Sequence, residues 1–93
     1  MKNNWYLYII RCKDNSLYTG ITTDVDARFN RHCEGVGAKY LRGKDPLTLE
    51  FHTTAGNRSD ASKLEYKIKK LPKSEKEQII KDKTIPNFLL KNS

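Results

Sequence analysis

The run Trp5-Tyr6-Leu7-Tyr8-Ile9-Ile10 constrains the fold of this chain more than any other feature. It is rich in aromatic and β-branched residues, which suit an extended backbone. Side chains alternate across a strand, and here both alternating sets are apolar. That pattern predicts a central strand covered on both faces. With 93 residues the chain has the length of one small domain. A domain of this size buries only about 60–65% of the surface its unfolded form exposes, so its stability margin is thin.

The rest of the sequence can be arranged around that strand. Lys13-Asp14-Asn15-Ser16 is turn chemistry, and Leu17 to Ile21 supplies a second strand, giving a hairpin. Thr23 is placed to cap a helix, with Asp26 in its first turn and Val25, Phe29 and Cys33 as its apolar stripe. Gly35 and Gly37 end that helix. A basic loop from Ala38 to Pro46 leads into Leu47-Thr48-Leu49-Glu50-Phe51-His52, whose strict alternation predicts a strand buried on one face at the sheet edge. A second helix, capped by Ser59, runs to Leu71 with Ala61, Leu64, Ile68 and Leu71 inward. Pro72 breaks it, and Ser74 with Glu77 forms a capping box for a third helix reaching about Lys81. The expected fold is α+β, a small three-stranded, mainly antiparallel sheet packed with helices in the order β-β-α-β-α-α. Residues 1–82 would form the domain and 83–93 a tail. The pattern leaves open whether Phe88, Leu89 and Leu90 in that tail dock on the body.

No apolar run approaches the roughly 20 residues that span a bilayer, and the N-terminal run lacks the layout of a signal peptide. The expectation is a cytoplasmic protein with no membrane partner. Cys12 and Cys33 form neither a disulfide framework nor a metal-ligand spacing, and both are expected to be small buried residues. The net charge of +7 favours polyanions such as nucleic acid or acidic membrane surfaces. Eight lysines fall between Lys63 and Lys83. Glu65, Glu75, Glu77 and Asp82 oppose them, so charge alone does not separate a binding surface from a solvated helix face.

Chemistry-bearing residues recur in a definite order. Tyr6-Leu7-Tyr8 and Tyr18-Thr19-Gly20 stand on successive strands, Arg28 and His32 follow on the first helix, and Glu65 on the second. This set resembles the paired tripeptides and downstream hallmark positions of the GIY-YIG endonucleases. The segments Gly37-Ala38-Lys39-Tyr40-Leu41-Arg42-Gly43 and Glu65-Tyr66-Lys67-Ile68-Lys69-Lys70-Leu71 resemble the small standalone bacterial branch of that superfamily, the UPF0213-like proteins. The resemblance covers about Trp5 to Ile80. It implies a metal-dependent endonuclease of DNA, selecting structure rather than sequence and linked to DNA repair or processing. Mg2+ or Mn2+ would be the cofactor, and nucleic acid the partner, with DNA favoured over RNA. The implied catalytic residues are Tyr8, Tyr18, Arg28, His32 and Glu65, with Glu65 also the metal ligand.

The residues have physical readings of their own. Arg28 and His32 are four apart and share one side of a helix, offset from the apolar stripe and therefore at its margin, which suits a cleft. Taken singly, Arg28 reads as a surface cation and His32 as an exposed or capping histidine. A guanidinium donates two hydrogen bonds to phosphate while staying charged. Glu65 reads either as a surface acid paired with Lys69 at i+4 or as one carboxylate holding a hydrated magnesium. An unperturbed tyrosine ionises near pH 10; a guanidinium and a metal nearby would lower that value. Tyr8 and Tyr18 share this base role without the sequence dividing it. Gly20 would allow a positive φ or a close approach to substrate.

Lys39, Tyr40, Arg42 and Lys44 make a loop suited to nucleic acid, mixing cations with an aromatic. Lys67, Lys69 and Lys70 would extend the positive track. One departure stands out. Many family nucleases carry a further asparagine beyond the metal-binding helix, where this chain offers Glu77 and Gln78. That motivates an alternative: a nucleic-acid-binding module with the nuclease fold but little or no catalysis. A third reading is an interaction protein using Phe88, Leu89 and Leu90.

Overall fold

The computed structural model describes residues 4–90. The ends of the expected domain and tail, residues 1–3 and 91–93, lie outside the described residues. Three strands, β1 (Trp5–Arg11), β2 (Leu17–Thr22) and β3 (Thr48–Gly56), form one antiparallel sheet in the order β2-β1-β3. β1 is central, as its two-sided apolar run requires. Among the described residues four helices accompany the sheet: α1 (Val25–Cys33), α2 (Arg58–Lys69), α3 (Lys73–Asp82) and the single turn α4 (Asn87–Leu90). A short 3-10 turn, Lys39–Leu41, interrupts the basic loop. Among the described residues, no helix is long and apolar enough to cross a membrane.

Alternation along β1 divides the core in two. Leu7 and Ile9 pack with Phe51, Leu64, Ile68 and Ile79 on one face. Tyr8 and Ile10 pack with Cys12 and Leu41 on the other, with Val25 and Phe29 of α1 against them. Of the expected α2 stripe, Ala61, Leu64 and Ile68 are buried, while the helix ends at Lys69 and Leu71, just beyond it, is partly buried against the same core. Beyond α3 the chain returns to the core, where Ile85 and Leu89 are buried and Lys67 Nζ donates to the Leu89 carbonyl at 3.2 Å. Phe88 and Leu90 stay exposed, so the apolar trio divides.

Several local expectations are corrected. The α1 cap is Asp24, whose carboxylate accepts from the Ala27 amide at 3.0 Å; Thr23 lies one residue too early, and the charged cap suits the positive end of the dipole. The α2 cap is Asn57, accepting from the Asp60 amide at 2.8 Å, with Ser59 already inside the helix. α3 begins after Pro72 without a side-chain cap, and β3 runs on to Gly56. Cys12 is buried as expected, but Cys33 is exposed. At 3.6 residues per turn, eight residues overshoot two turns by about 80°, whereas seven fall short by about 20°. The stripe of α1 is therefore Val25, Phe29 and His32, and the histidine is buried instead of marginal.

Glu77 does not cap α3, because Arg11 claims it. The Arg11 guanidinium donates through Nε to Glu50 at 2.6 Å and through Nη1 and Nη2 to Glu77 at 2.7 and 2.6 Å, joining β1, β3 and α3. Lys73 adds a further donor at 2.9 Å. Hydrogen bonds from Arg11 and then Lys73 hold the Glu77 carboxyl down at about 2, below the roughly 4.3 of an unfolded chain. A depressed folded value stabilises above the unfolded value and loses that contribution as pH falls through the folded one. The carboxylate is one-third exposed, so solvent screening leaves about 1 kcal/mol. Glu77→Gln is expected to lower Tm at neutral pH by about 4–8 °C. The gap to wild type should close between about pH 4 and pH 2, as thermal melts across that range will report.

Candidate active site

The β1–β2 register places Gly20 opposite Tyr8 and Tyr18 opposite Ile10, so both phenols lie on the α1 face of the sheet. Tyr8 is 2% exposed and His32 3%. Their polar atoms meet, Tyr8 Oη to His32 Nε2, at 2.9 Å. The other ring nitrogen, Nδ1, accepts the Ala38 backbone N–H at 3.1 Å. A backbone amide can only donate, so Nδ1 carries no proton and the neutral ring holds its hydrogen on Nε2. His32 therefore donates to the Tyr8 oxygen. Burial first, and the Arg28 charge second, lower the His32 pKa, which keeps the ring neutral in agreement with that tautomer.

Two glycines make the pair possible. A Cβ on Gly20 would lie 2.6 Å from Tyr8 Cζ, far inside contact distance. The expectation of a positive φ at Gly20 is thus corrected. Gly20 is absent from the left-handed residues, and its close approach is to the Tyr8 ring. A Cβ on Gly37 would lie 2.8 Å from His32 Cε1. Gly37 and the Ala38 amide form the seat of the imidazole, a role the sequence hid because the glycine reads simply as a helix stop.

The remaining residues converge on the same phenol. The Tyr8 pKa is pushed up to about 12, chiefly by burial with smaller contributions from the Tyr18 phenol and the Glu65 charge, while the Arg28 guanidinium opposes the rise through a hydrogen bond and its charge. The Tyr18 ring lies 6.3 Å from that of Tyr8 and 5.6 Å from that of His32. Glu65, half-buried on α2, pairs with Lys69 at 3.2 Å, and Lys69 Nζ lies 5.9 Å over the Tyr18 ring. Tyr8, Tyr18, Arg28, His32 and Glu65 are brought together, from two strands and two helices.

The basic loop joins them. Tyr40 stacks on Tyr18 with centroids 5.9 Å apart, and Lys44 Nζ lies 3.6 Å from the Tyr40 centroid. Hydrogen bonds with Ser16 and then Lys44 lower the Tyr40 pKa. Lys39 and Arg42 are exposed nearby in the chain. The α2 lysines separate. Lys69 is at the site, Lys70 lies over Tyr66 at 4.4 Å, and Lys67 lines a groove of about 320 Å³ with Thr54, Asp60 and Leu90.

Among the described residues, no group of three His, Cys, Asp or Glu side chains could hold a metal by itself. Glu65 offers a single carboxylate with hard oxygen donors, partly open to solvent. That fits magnesium or manganese with a mostly hydrated shell, and does not fit a zinc site built from nitrogen and sulfur. Glu77 is bound to Arg11, and Gln78 donates to Asp82 at 2.9 Å.

Residues 4–78 match the family model of the GIY-YIG catalytic domain. A UPF0213 protein of Pectobacterium carotovorum is 60% identical over 78 residues, which are 84% of this chain and 79% of that one. A UPF0213 protein of Salmonella paratyphi B is 52% identical over 92% of this chain and 86% of its own length. Among solved structures, a UPF0213 protein of Bacillus halodurans, determined by solution NMR, superposes with a TM-score of 0.57 at 43% identity, covering 92% of each chain. A second NMR structure, from E. faecalis, gives a TM-score of 0.60 at 35% identity over 99% of this chain and 93% of that one. Together with the convergent tyrosines, arginine, histidine and glutamate, these matches mean that the chain belongs to the GIY-YIG catalytic-domain family.

Proposed function

We propose that this protein is a divalent-metal-dependent endonuclease that hydrolyses phosphodiester bonds in DNA, selecting structure rather than sequence, in DNA repair or processing. The observation that carries the reading is the convergence of Arg28, His32, Tyr18 and Glu65 on the buried Tyr8 phenol. Membership of a nuclease domain family supports hydrolase chemistry in general. Residues 1–82 would form the nuclease unit.

Each residue has a chemically distinct task. Arg28 has five N–H donors in a fixed fork, so it can meet the phenol with one edge and phosphate with another. Glu65 would hold Mg2+ or Mn2+, with water and substrate phosphate filling the shell, and the ion would neutralise charge developing on the phosphate. His32 orients Tyr8 through Nε2–H. Two donors, from His32 and Arg28, face the Tyr8 oxygen, the arrangement a phenolate requires. We assign to Tyr8 the acceptance of the proton from the attacking water, and to Tyr18 the orientation of that water. The rate should then follow the small ionised fraction of a phenol whose pKa stands at about 12. Single-turnover cleavage is expected to rise about tenfold per pH unit from pH 7 to pH 9, and Tyr8→Phe to lose about 10²- to 10⁴-fold. A flat profile over that range would count against a phenolate base.

One observation favours a second reading, a binding module without useful turnover: Glu77 and Gln78, in the stretch where the family resemblance implies an asparagine, are engaged with Arg11 and Asp82. That reading predicts salt-sensitive DNA binding that survives Glu65→Ala, with no metal-dependent cutting by the wild type.

A further inference from the structure

We propose that Lys13, Arg42 and Lys44 form a second phosphate-binding site, which takes a backbone phosphate of the same nucleic acid strand at a fixed distance from the Tyr8 centre. The proposal deepens the nuclease reading and rests on it.

The site is a cavity of about 510 Å³ between the β1–β2 turn and the basic loop, lined by Lys13, Asp14, Arg42, Gly43 and Lys44. Three cations face it against one carboxylate. That carboxylate is already engaged, with Asp14 Oδ1 accepting from the Ser16 amide at 3.1 Å and the Ser16 hydroxyl at 2.6 Å. Its other oxygen lies 3.6 Å from Lys44 Nζ. The Ser16 bonds, followed by the Lys44 charge, lower the Asp14 pKa. An excess of positive charge remains for an anion. Among the described residues no aromatic lines the cavity, and the neighbouring Tyr40 ring is taken up by Tyr18 and Lys44. The groups offered are ammonium and guanidinium donors, which suit phosphate oxygens and carry no direct readout of bases.

The cavity is tied to the reaction centre. Leu41, 2% exposed, is packed in the same cluster as Tyr8. The Lys44 amide donates to the Leu41 carbonyl at 3.2 Å, and the Lys13 amide to the Lys44 carbonyl at 2.8 Å. The turn and the loop are therefore locked to each other and to the core beneath Tyr8. A chain of contacts leads outward from Tyr8 to Tyr18 (6.3 Å), Tyr40 (5.9 Å) and Lys44 (3.6 Å). At about 3.4 Å of rise per nucleotide, a strand whose scissile phosphate lies at Tyr8 reaches the cavity within about five nucleotides. Lys13 extends the binding surface to the hairpin turn, outside the helices and loop that carry the other cations.

The test is DNA binding in a Glu65→Gln background with a chelator present, so that cutting does not interfere, with labelled single-stranded and duplex oligonucleotides between about 50 and 200 mM salt. Lys13 and Arg42 are exposed, so their truncation leaves the core intact. Lys13→Ala should reduce the slope of log affinity against log salt by about 1, and Lys13→Ala/Arg42→Ala by about 2. Lys13→Arg should restore the slope. Lys81→Ala, which removes the same charge from the exposed last turn of α3, should leave it unchanged. If the parent protein binds with a salt-dependent affinity and Lys13→Ala behaves like Lys81→Ala, the second phosphate site is refuted while the nuclease reading stands. If the parent protein shows no salt-dependent binding to any oligonucleotide, the nucleic-acid reading itself fails, and this site with it.

Discussion

Glu65→Gln is expected to slow metal-dependent DNA cleavage by about 10³-fold or more while leaving the fold intact. The rate argument is electrostatic. An ion at the phosphate is worth several kcal/mol of transition-state charge stabilisation, and about 4 kcal/mol is a factor of about 10³. The glutamine keeps the shape but gives up the charge that a hard divalent cation needs. The stability argument runs the other way. Glu65 pairs with Lys69, one turn along the same helix and half exposed, and such pairs contribute a few tenths of a kcal/mol. Tm should move by no more than about 3 °C. Rate and melting temperature measured on one preparation separate the two contributions. A Glu65→Gln protein that still cuts at the wild-type rate would remove the metal role from this carboxylate.

Gly20→Ala has the second large effect, and on both properties together. The new methyl would lie 2.6 Å from Tyr8 Cζ and closer still to its hydroxyl. Retreat toward α1 is opposed: His32 Nε2 is hydrogen-bonded to the ring's oxygen, and Gly37 backs the imidazole. Overpacking of this kind costs about 1–3 kcal/mol, a fall in Tm of about 5–20 °C for a domain this small. Displacement of the phenol by about 1 Å is enough to cost a further 10²-fold in rate. Adding Tyr8→Phe removes the hydroxyl and should return part of the stability, without restoring cleavage. Melting curves and single-turnover rates for the two single variants and the double variant will show whether the clash is where the geometry puts it.

These two glycines also mark the limit of what the sequence discloses. Gly20 faces Tyr8 only because of the strand register, and the Gly37 contact depends on how the chain leaves α1. Neither relation has a local signature. The Arg11–Glu77 bridge links residues 66 positions apart, so Glu77 read instead as part of a capping box. The caps were misplaced by one or two residues because Thr23 adjoins Asp24 and Asn57 stands near Ser59, all residue types that cap well. By contrast, the central strand was legible because two apolar faces leave a strand no solvent side. The gathering of Tyr8, Tyr18, Arg28, His32 and Glu65 was legible through their order on two strands and two helices. His32 was the exception within that set. Its burial follows from a seven-residue helical repeat, which an eight-residue stripe ending at Cys33 had concealed.

The most direct test is single-turnover cleavage by the wild-type protein. The substrates are labelled plasmid, branched duplex, single-stranded DNA and RNA, each with Mg2+, with Mn2+ and with a chelator. The nuclease account predicts phosphodiester cleavage of at least one DNA substrate that requires the divalent ion and is lost in Tyr8→Phe and Glu65→Gln. No cleavage of any substrate, or cleavage that persists in the chelator or in both variants, would contradict it.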